Sequence, residues 1–286
     1  MGATSLTQLF GTQKLQVEPQ DLNPSTNPLI GRFRSVNKSG LRARGDSETF
    51  LASPCLTGSS GCLMPDIRAI TFDIGGTLIE PWPSVGHVYA TVAAEHGVRG
   101  LDPETLNKRF HEAWRERGEF QHSRKAWAAL VDRVFDGLVD RQPSETFFPQ
   151  LYTRFGEARA WRICPDVLPT LDELASRGIP MAAVSNWDER LRPLLKALNL
   201  DGYFEAVLVS CELYFAKPSD VIFEHALRKL GTPAAETLHV GDSAAEDLAG
   251  ARAAGMQALL INRQGNAGPD SIKSLTDLLS LVPAFA

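Results

Sequence analysis

Hydrophobic and polar positions along the chain change rhythm twice. Residues 1–64 carry no sustained period, whereas from Ile67 onward short apolar runs alternate with amphipathic stretches. The runs are IRAITFD (67–73), IPMAAVSN (179–186), FEAVLVS (204–210), TLHVGD (237–242) and MQALLIN (256–262). Each is nearly unbroken, the pattern of a strand covered on both faces. The stretches between them have helical spacing and clear ends. Asp166–Arg177 stops at Gly178, Glu189–Leu198 follows Asp188 as N-cap, Ser219–Leu230 stops at Gly231, and Ala244–Ala254 stops at Gly255. Strands alternating with helices of this length predict βαβ units around a parallel sheet. Right-handed crossovers then place helices on both faces.

The alternation lapses between Ser84 and Cys164, which reads as helices only. One helix is expected from Ser84 to Gly97, and a second after Asp102 with Pro103 in its first turn. A third is expected in SRKAWAALVDRVFDGLV, and a last piece, SETFFPQLYTRF, broken at Pro149. A helical insertion after the first strand of a parallel sheet predicts a cap over the strand ends, where open α/β sheets place their sites. The expected division is an extension over 1–64, an α/β core over 65–83 and 165–286, and a helical cap over 84–164.

Composition changes this picture at the N-terminus. Residues 1–64 are rich in Ser, Thr, Asn, Pro and Gly and bury too little apolar surface to offset their ordering entropy, so disorder is expected. Three explanations stand for this segment: a tail, an organellar transit peptide, or an upstream extension from a misassigned start, since Met64 opens MPDIRAITFD. Glu18 and Asp21 count against a transit peptide. The 286 residues carry a net charge of −5, which argues against a general nucleic-acid binder. No apolar run approaches the ~18 residues a membrane span requires, and no secretory signal is visible. Cys55, Cys62, Cys164 and Cys211 fit no metal knuckle, and reduced thiols in a cytoplasmic protein are expected.

Polar residues close the strands. Asp73 ends the first, and Ser185 and Asn186 end the second. Lys217 follows the third, and Asp242 ends the fourth, with Asp247 five residues on. All should converge above one sheet edge. Carboxylates gathered at one locus repel each other, and burial adds to the cost. A divalent cation between Asp73 and Asp242 would resolve the repulsion, and a small all-oxygen site suits Mg2+. Lys217 would offset the charge of a bound anion.

In order, FDIGGTL, VSNWD, AKPSD and GDSAAED resemble the four motifs of the haloacid dehalogenase superfamily, chiefly its phosphatases with a helical cap after the first motif. The resemblance covers residues 67–263. It implies a Rossmann-like core, Mg2+ dependence and an aspartyl-phosphate intermediate formed from a small-molecule phosphate ester. By the same resemblance Asp73 is the nucleophile, Thr77 supports its loop, and Ser185 and Asn186 hold phosphoryl oxygens. Lys217 steadies nucleophile and phosphate. The Gly75 carbonyl and Asp242 bind the metal with Asp73, and Asp247 assists through water or hydrogen bonding.

The chain departs from the family at Gly75, where phosphatases carry an aspartate that protonates the leaving oxygen. Loss of such a group typically lowers rate about 10²–10⁴-fold. Several readings stay open. Glu80, His87 or His111 could substitute, with Glu80 the first candidate. The leaving group could need no acid, as in dehalogenases of the superfamily, which work without Mg2+. A phosphonatase-type hydrolase would use a cap lysine, Lys125 or Lys108. A catalytically weak or inactive binding or regulatory protein is the remaining reading. Trp82, Trp114, Trp127 and Trp187 are candidate wall residues, although aromatics at helical spacing are more often core.

Overall fold

The computed structural model describes residues 67–118, 120–265 and 268–282; the extension expected over 1–64 lies outside them. Strand β1 (Ala69–Phe72) is followed by the short β2 (Ile79–Pro81), then by helices α1 (Val85–Glu95), α2 (Pro103–Arg115), α3 (Arg124–Phe135) and α4 (Phe148–Arg154). The chain returns through β3 (Trp161–Ile163), which pairs antiparallel with β2. Alternation then resumes with α5 (Val167–Ser176), β4 (Met181–Ser185), α6 (Leu191–Ala197), β5 (Ala206–Val209), the single turn α7 (Ser210–Leu213) and α8 (Asp220–Leu230). The last elements are β6 (Thr237–Gly241), α9 (Gly250–Ala253), β7 (Gln257–Ile261) and the short β8 (Ser271–Ile272).

The main sheet has six strands in the order β5-β4-β1-β6-β7-β8, all pairs parallel. Every residue of β1, β4 and β6 is buried, which explains their unbroken apolar runs. Ile70 and Phe72 pack in one cluster with Val167 and Leu171 of α5; Ala69, Ala182 and Val184 pack in another with Ile222 and Phe223 of α8. The sheet is thus covered on both faces, a Rossmann-like α/β core. Strand order reverses between β1 and β6, the switch point where such sheets open a crevice at their carboxyl ends. Helices α1 to α4 hold a separate apolar cluster containing Val92, Leu106, Val134, Phe135 and Leu151.

Caps behave largely as their residues dictate. Ser84, Asp102, Ser123 and Ser219 each accept a backbone N–H of the first turn, and Gly231 takes a left-handed φ of 66° to close α8. Three expectations need correction. Asp188 lies two residues ahead of the N-cap of α6, which is Arg190: its buried carboxylate accepts the Arg190 backbone N–H at 3.1 Å and binds the Arg190 guanidinium, and α6 starts only at Leu191. The segment 144–155 is broken as expected, but at Thr146 and Phe147, between a single turn over Pro143–Glu145 and α4; Pro149 itself lies in the first turn of α4, where a missing N–H is harmless. Residues 244–254 form a π-type stretch, Ala244–Ala249, before the short α9.

Candidate active site

Asp73 follows β1 directly, and its backbone N–H donates to the Val240 carbonyl of β6 at 2.9 Å, tying the two switch-point strands together. Its Oδ1 accepts from Ser185 Oγ at 2.9 Å and from Lys217 Nζ at 2.6 Å. Oδ2 has only a long contact, 3.4 Å, from Thr77 Oγ1. One carboxylate oxygen is therefore pinned while the other is nearly unengaged. Lys217 Nζ also donates to Asp247 Oδ1 at 2.6 Å. Behind it, His239 Nε2 lies 3.0 Å from the same oxygen, and His239 Nδ1 lies 2.8 Å from Thr71 Oγ1. Asp247 Oδ2 accepts the Ser243 N–H at 2.9 Å. Asn186 clamps the Lys217 loop: its Oδ1 accepts the Lys217 N–H at 2.7 Å and its Nδ2 donates to the Lys217 carbonyl at 2.9 Å.

The electrostatics follow from burial and pairing. Burial raises Asp73 above the ordinary carboxylate range against the pull of Lys217. Burial would also raise Asp247, but Lys217 and His239 outweigh it and hold that acid below the range. Lys217 is held above its ordinary value because Asp73 and Asp247 outweigh the cost of its burial. Asp242 opens onto the cavity, and among the described residues no salt bridge reaches its carboxylate, although Lys217 attracts it from a distance. Partial loss of water, then repulsion from Asp73 and Asp247, push it up to about 7.

Asp73, Asp242 and Asp247 bring carboxylate oxygens within 4.8 Å of one another. Gly76 makes this possible: at φ 80°, a Cβ there would overlap the Asp242 carboxylate. Three hard oxygen groups with an excess of negative charge fit a divalent cation. Asp73 and Asp242 have oxygens to offer, whereas both Asp247 oxygens are already engaged by protein donors.

A cavity of about 590 Å³ opens above this floor and is roofed by the helical insertion. Gly75 lines it, and a side chain there would crowd Trp187: a Cβ on Gly75 would lie 3.0 Å from Trp187 Cζ3, so the ring must give way by a few tenths of an ångström. Trp187 packs on Trp161 at 5.1 Å between ring centroids. Of the other candidates, Trp114, Trp127 and His111 line the cavity. Glu80 does not: it lies on β2 in an ion pair with Arg162 of β3, which corrects its placing as the substitute acid. His87 is likewise outside, 2.8 Å from Ser84 Oγ, and Trp82 lies under the Arg162 guanidinium. Among the described lining residues Lys217 is the one lysine, so neither Lys108 nor Lys125 reaches the cavity.

Several wall residues gave little sequence signal. Arg117 and Glu246 join cap to core at 2.8 Å, and Glu246 also accepts from Asn186 Nδ2 at 3.1 Å. Arg190 binds Asp188 and lies over the Tyr152 ring at 3.5 Å. Burial, reinforced by Arg117, pulls His122 down to about 4, so it is neutral at ordinary pH. Only His239 could have been picked out, as a polar residue inside an otherwise apolar strand.

Comparison with known proteins agrees with this geometry. A family model for haloacid dehalogenase-like hydrolases matches residues 67–255. The human haloacid dehalogenase-like hydrolase domain-containing protein 3 is 33% identical over 206 residues, covering 68% of this chain and 82% of that protein. A phosphoglycolate phosphatase of Thiobacillus denitrificans is 29% identical over 227 residues, 77% of this chain and 93% of that one. The crystal structure of a dehalogenase with an intermediate complex superimposes with a TM-score of 0.60 at 25% identity, covering 77% of this chain and 99% of that one. The chain belongs to the haloacid dehalogenase-like hydrolases.

Proposed function

We propose that the chain is a Mg2+-dependent phosphoric monoester hydrolase of small phosphorylated molecules, with residues 84–164 acting as its cap. The observation that carries this reading is the convergence of Asp73, Asp242 and Asp247 within 4.8 Å, with Lys217 bridging two of them. Asp73 Oδ2 attacks phosphorus in line, because Ser185 and Lys217 hold Oδ1 and orient the carboxylate. The new O–P bond forms as the ester P–O bond breaks, and the organic group leaves as its oxyanion. Water then attacks phosphorus, losing a proton to bulk solvent as the organic oxyanion takes one from it, the Asp73 O–P bond breaks, and phosphate departs with the carboxylate restored. Lys217 and the Asn186 loop offset charge on the phosphoryl oxygens. A magnesium ion held by Asp73, Asp242 and the Gly75 carbonyl would supply the remaining neutralisation. Asp247 keeps Lys217 charged and in place.

Gly75 supplies no carboxyl to protonate the leaving oxygen, and Asp242 and Asp247 are given over to the metal and to Lys217, so substrates whose oxyanion is stable are favoured. The test is hydrolysis of an aryl phosphate with Mg2+ and with chelator. Metal-dependent phosphate release is expected. Its absence in folded protein points to a binding role. Gly75 and the likeness to a dehalogenase favour a second reading, carbon–halogen hydrolysis. Halide release from a 2-haloacid without metal would establish that instead.

A further inference from the structure

We infer that the cavity is shaped for a phosphate ester whose organic group is flat, aromatic and uncharged, an inference that rests on the phosphatase reading above. Size is the first argument. A volume of about 590 Å³ far exceeds the needs of a two-carbon acid, and lies in the range of roughly 300–1,000 Å³ that encloses most of a drug-sized ligand. Surface chemistry is the second. Phe110, Trp114 and Trp127 from the cap helices face the same space as Trp161 of β3 and Trp187 of the core. Trp114 and Trp127 stack nearly parallel, 5.5 Å apart, and Arg117 covers Trp114 at 3.7 Å, so the wall is already braced before any ligand enters.

Charge is the third argument, and it counts against a substrate with a second acid group. Arg117 Nη2 is taken by Glu246 at 2.8 Å. Arg190 is taken by Asp188 and by the Tyr152 carbonyl at 2.5 Å. Lys217 is committed to Asp73 and Asp247. A carboxylate at the cap end would meet, among the described lining residues, only cations whose charge is already matched by Glu246, Asp188 or the floor carboxylates, and burying it without a counter-charge is unfavourable.

Phosphonates separate this inference from the chemistry, because they bind without turning over and leaving-group acidity plays no part. Calorimetric titration of the full chain with Mg2+ would compare 3-phenylpropylphosphonate, propylphosphonate and phosphonoacetate. The phenylpropyl compound should bind at least about tenfold tighter than the propyl one, and phosphonoacetate weakest. Equal affinity of the first two, or tightest binding of phosphonoacetate, overturns the inference. Hydrolysis of the matching phosphate esters, run alongside, tests the phosphatase reading by itself. Turnover without aromatic preference sinks only the present inference, whereas aromatic preference in binding without turnover sinks only the phosphatase reading. Trp127→Leu, checked for folding by circular dichroism, should reduce the aromatic preference at least about threefold. A folded variant with the full preference counts against the wall.

Discussion

The floor and the roof of the cavity are built on opposite principles. On the floor, Asp73, Lys217 and Asp247 are almost fully buried, at 6%, 4% and 1% exposure, and each of these three is paired with an opposite charge. The roof is aromatic and leaves the Trp127 and Arg117 donors without partners. A saturated network cannot move without stranding a buried charge, so the floor holds reacting atoms in fixed geometry. A wall of rings carries no such charge network, and it offers an apolar surface rather than fixed reacting atoms. Chemistry and selectivity thus reside in different parts of one fold.

Removing the unengaged oxygen's nucleophilicity should have the largest effect. Asp73→Asn is expected to lower turnover of an aryl phosphate at least about a thousandfold while the fold persists, measured by phosphate release. Turnover that survives would detach the floor from the chemistry. Lys217→Met should cost stability as well as activity. It strands two buried carboxylates, a change worth about 3–5 kcal/mol in urea denaturation. A loss as small as the ~0–1 kcal/mol typical of exposed pairs would mean the floor is not the tight network described.

Gly75 tests the boundary between the two regions. Its backbone is outside the left-handed region, but a side chain there would press on the Trp187 ring, 3.0 Å from the Cβ, and the ring must give way to admit it. Gly75→Asp alone should therefore bring little gain on alkyl phosphates. Combined with Trp187→Ala it should raise their turnover up to about a hundredfold, as a restored acid would. Equal behaviour of single and double variants would rule out Trp187 as the obstacle.

The roof predicts a pH effect. His122 falls from the ordinary 6.5 to about 4 through burial and the nearby Arg117 and Lys217 charges, partly countered by Asp188. The unfolded chain therefore binds the proton more readily. The stabilisation is complete above about pH 6.5 and is lost as pH falls towards 4, by about 1–3 kcal/mol. His122→Asn should flatten that acid limb in denaturation curves taken at several pH values. A slope unchanged by the substitution would assign acid sensitivity elsewhere. Smallest of all, Glu80→Gln should alter activity less than about twofold, since only an exposed pair with Arg162 is lost. A tenfold drop would restore Glu80 as the proton donor.

Much of this was legible in the chain. Unbroken apolar runs ending in Asp73, Ser185 and Asp242 specify buried parallel strands with polar ends, because strand burial and strand polarity are local properties. The sheet order then brings those ends together, since β1 and β6 are neighbours at the switch point. Glu80 was misplaced because distance along the chain says nothing of direction: β2 turns away to pair with β3. The ring that fills the place of the missing aspartate is equally invisible, since Trp187 comes from a loop 112 residues away. Sequence alone determined which residues could react and that a sheet edge would collect them. Tertiary structure decided which oxygen of Asp73 is unengaged, what occupies the space beside Gly75 and which arginines are already paired. Those are matters of contact between distant segments, fixed only when the core and the helical insertion close on one another.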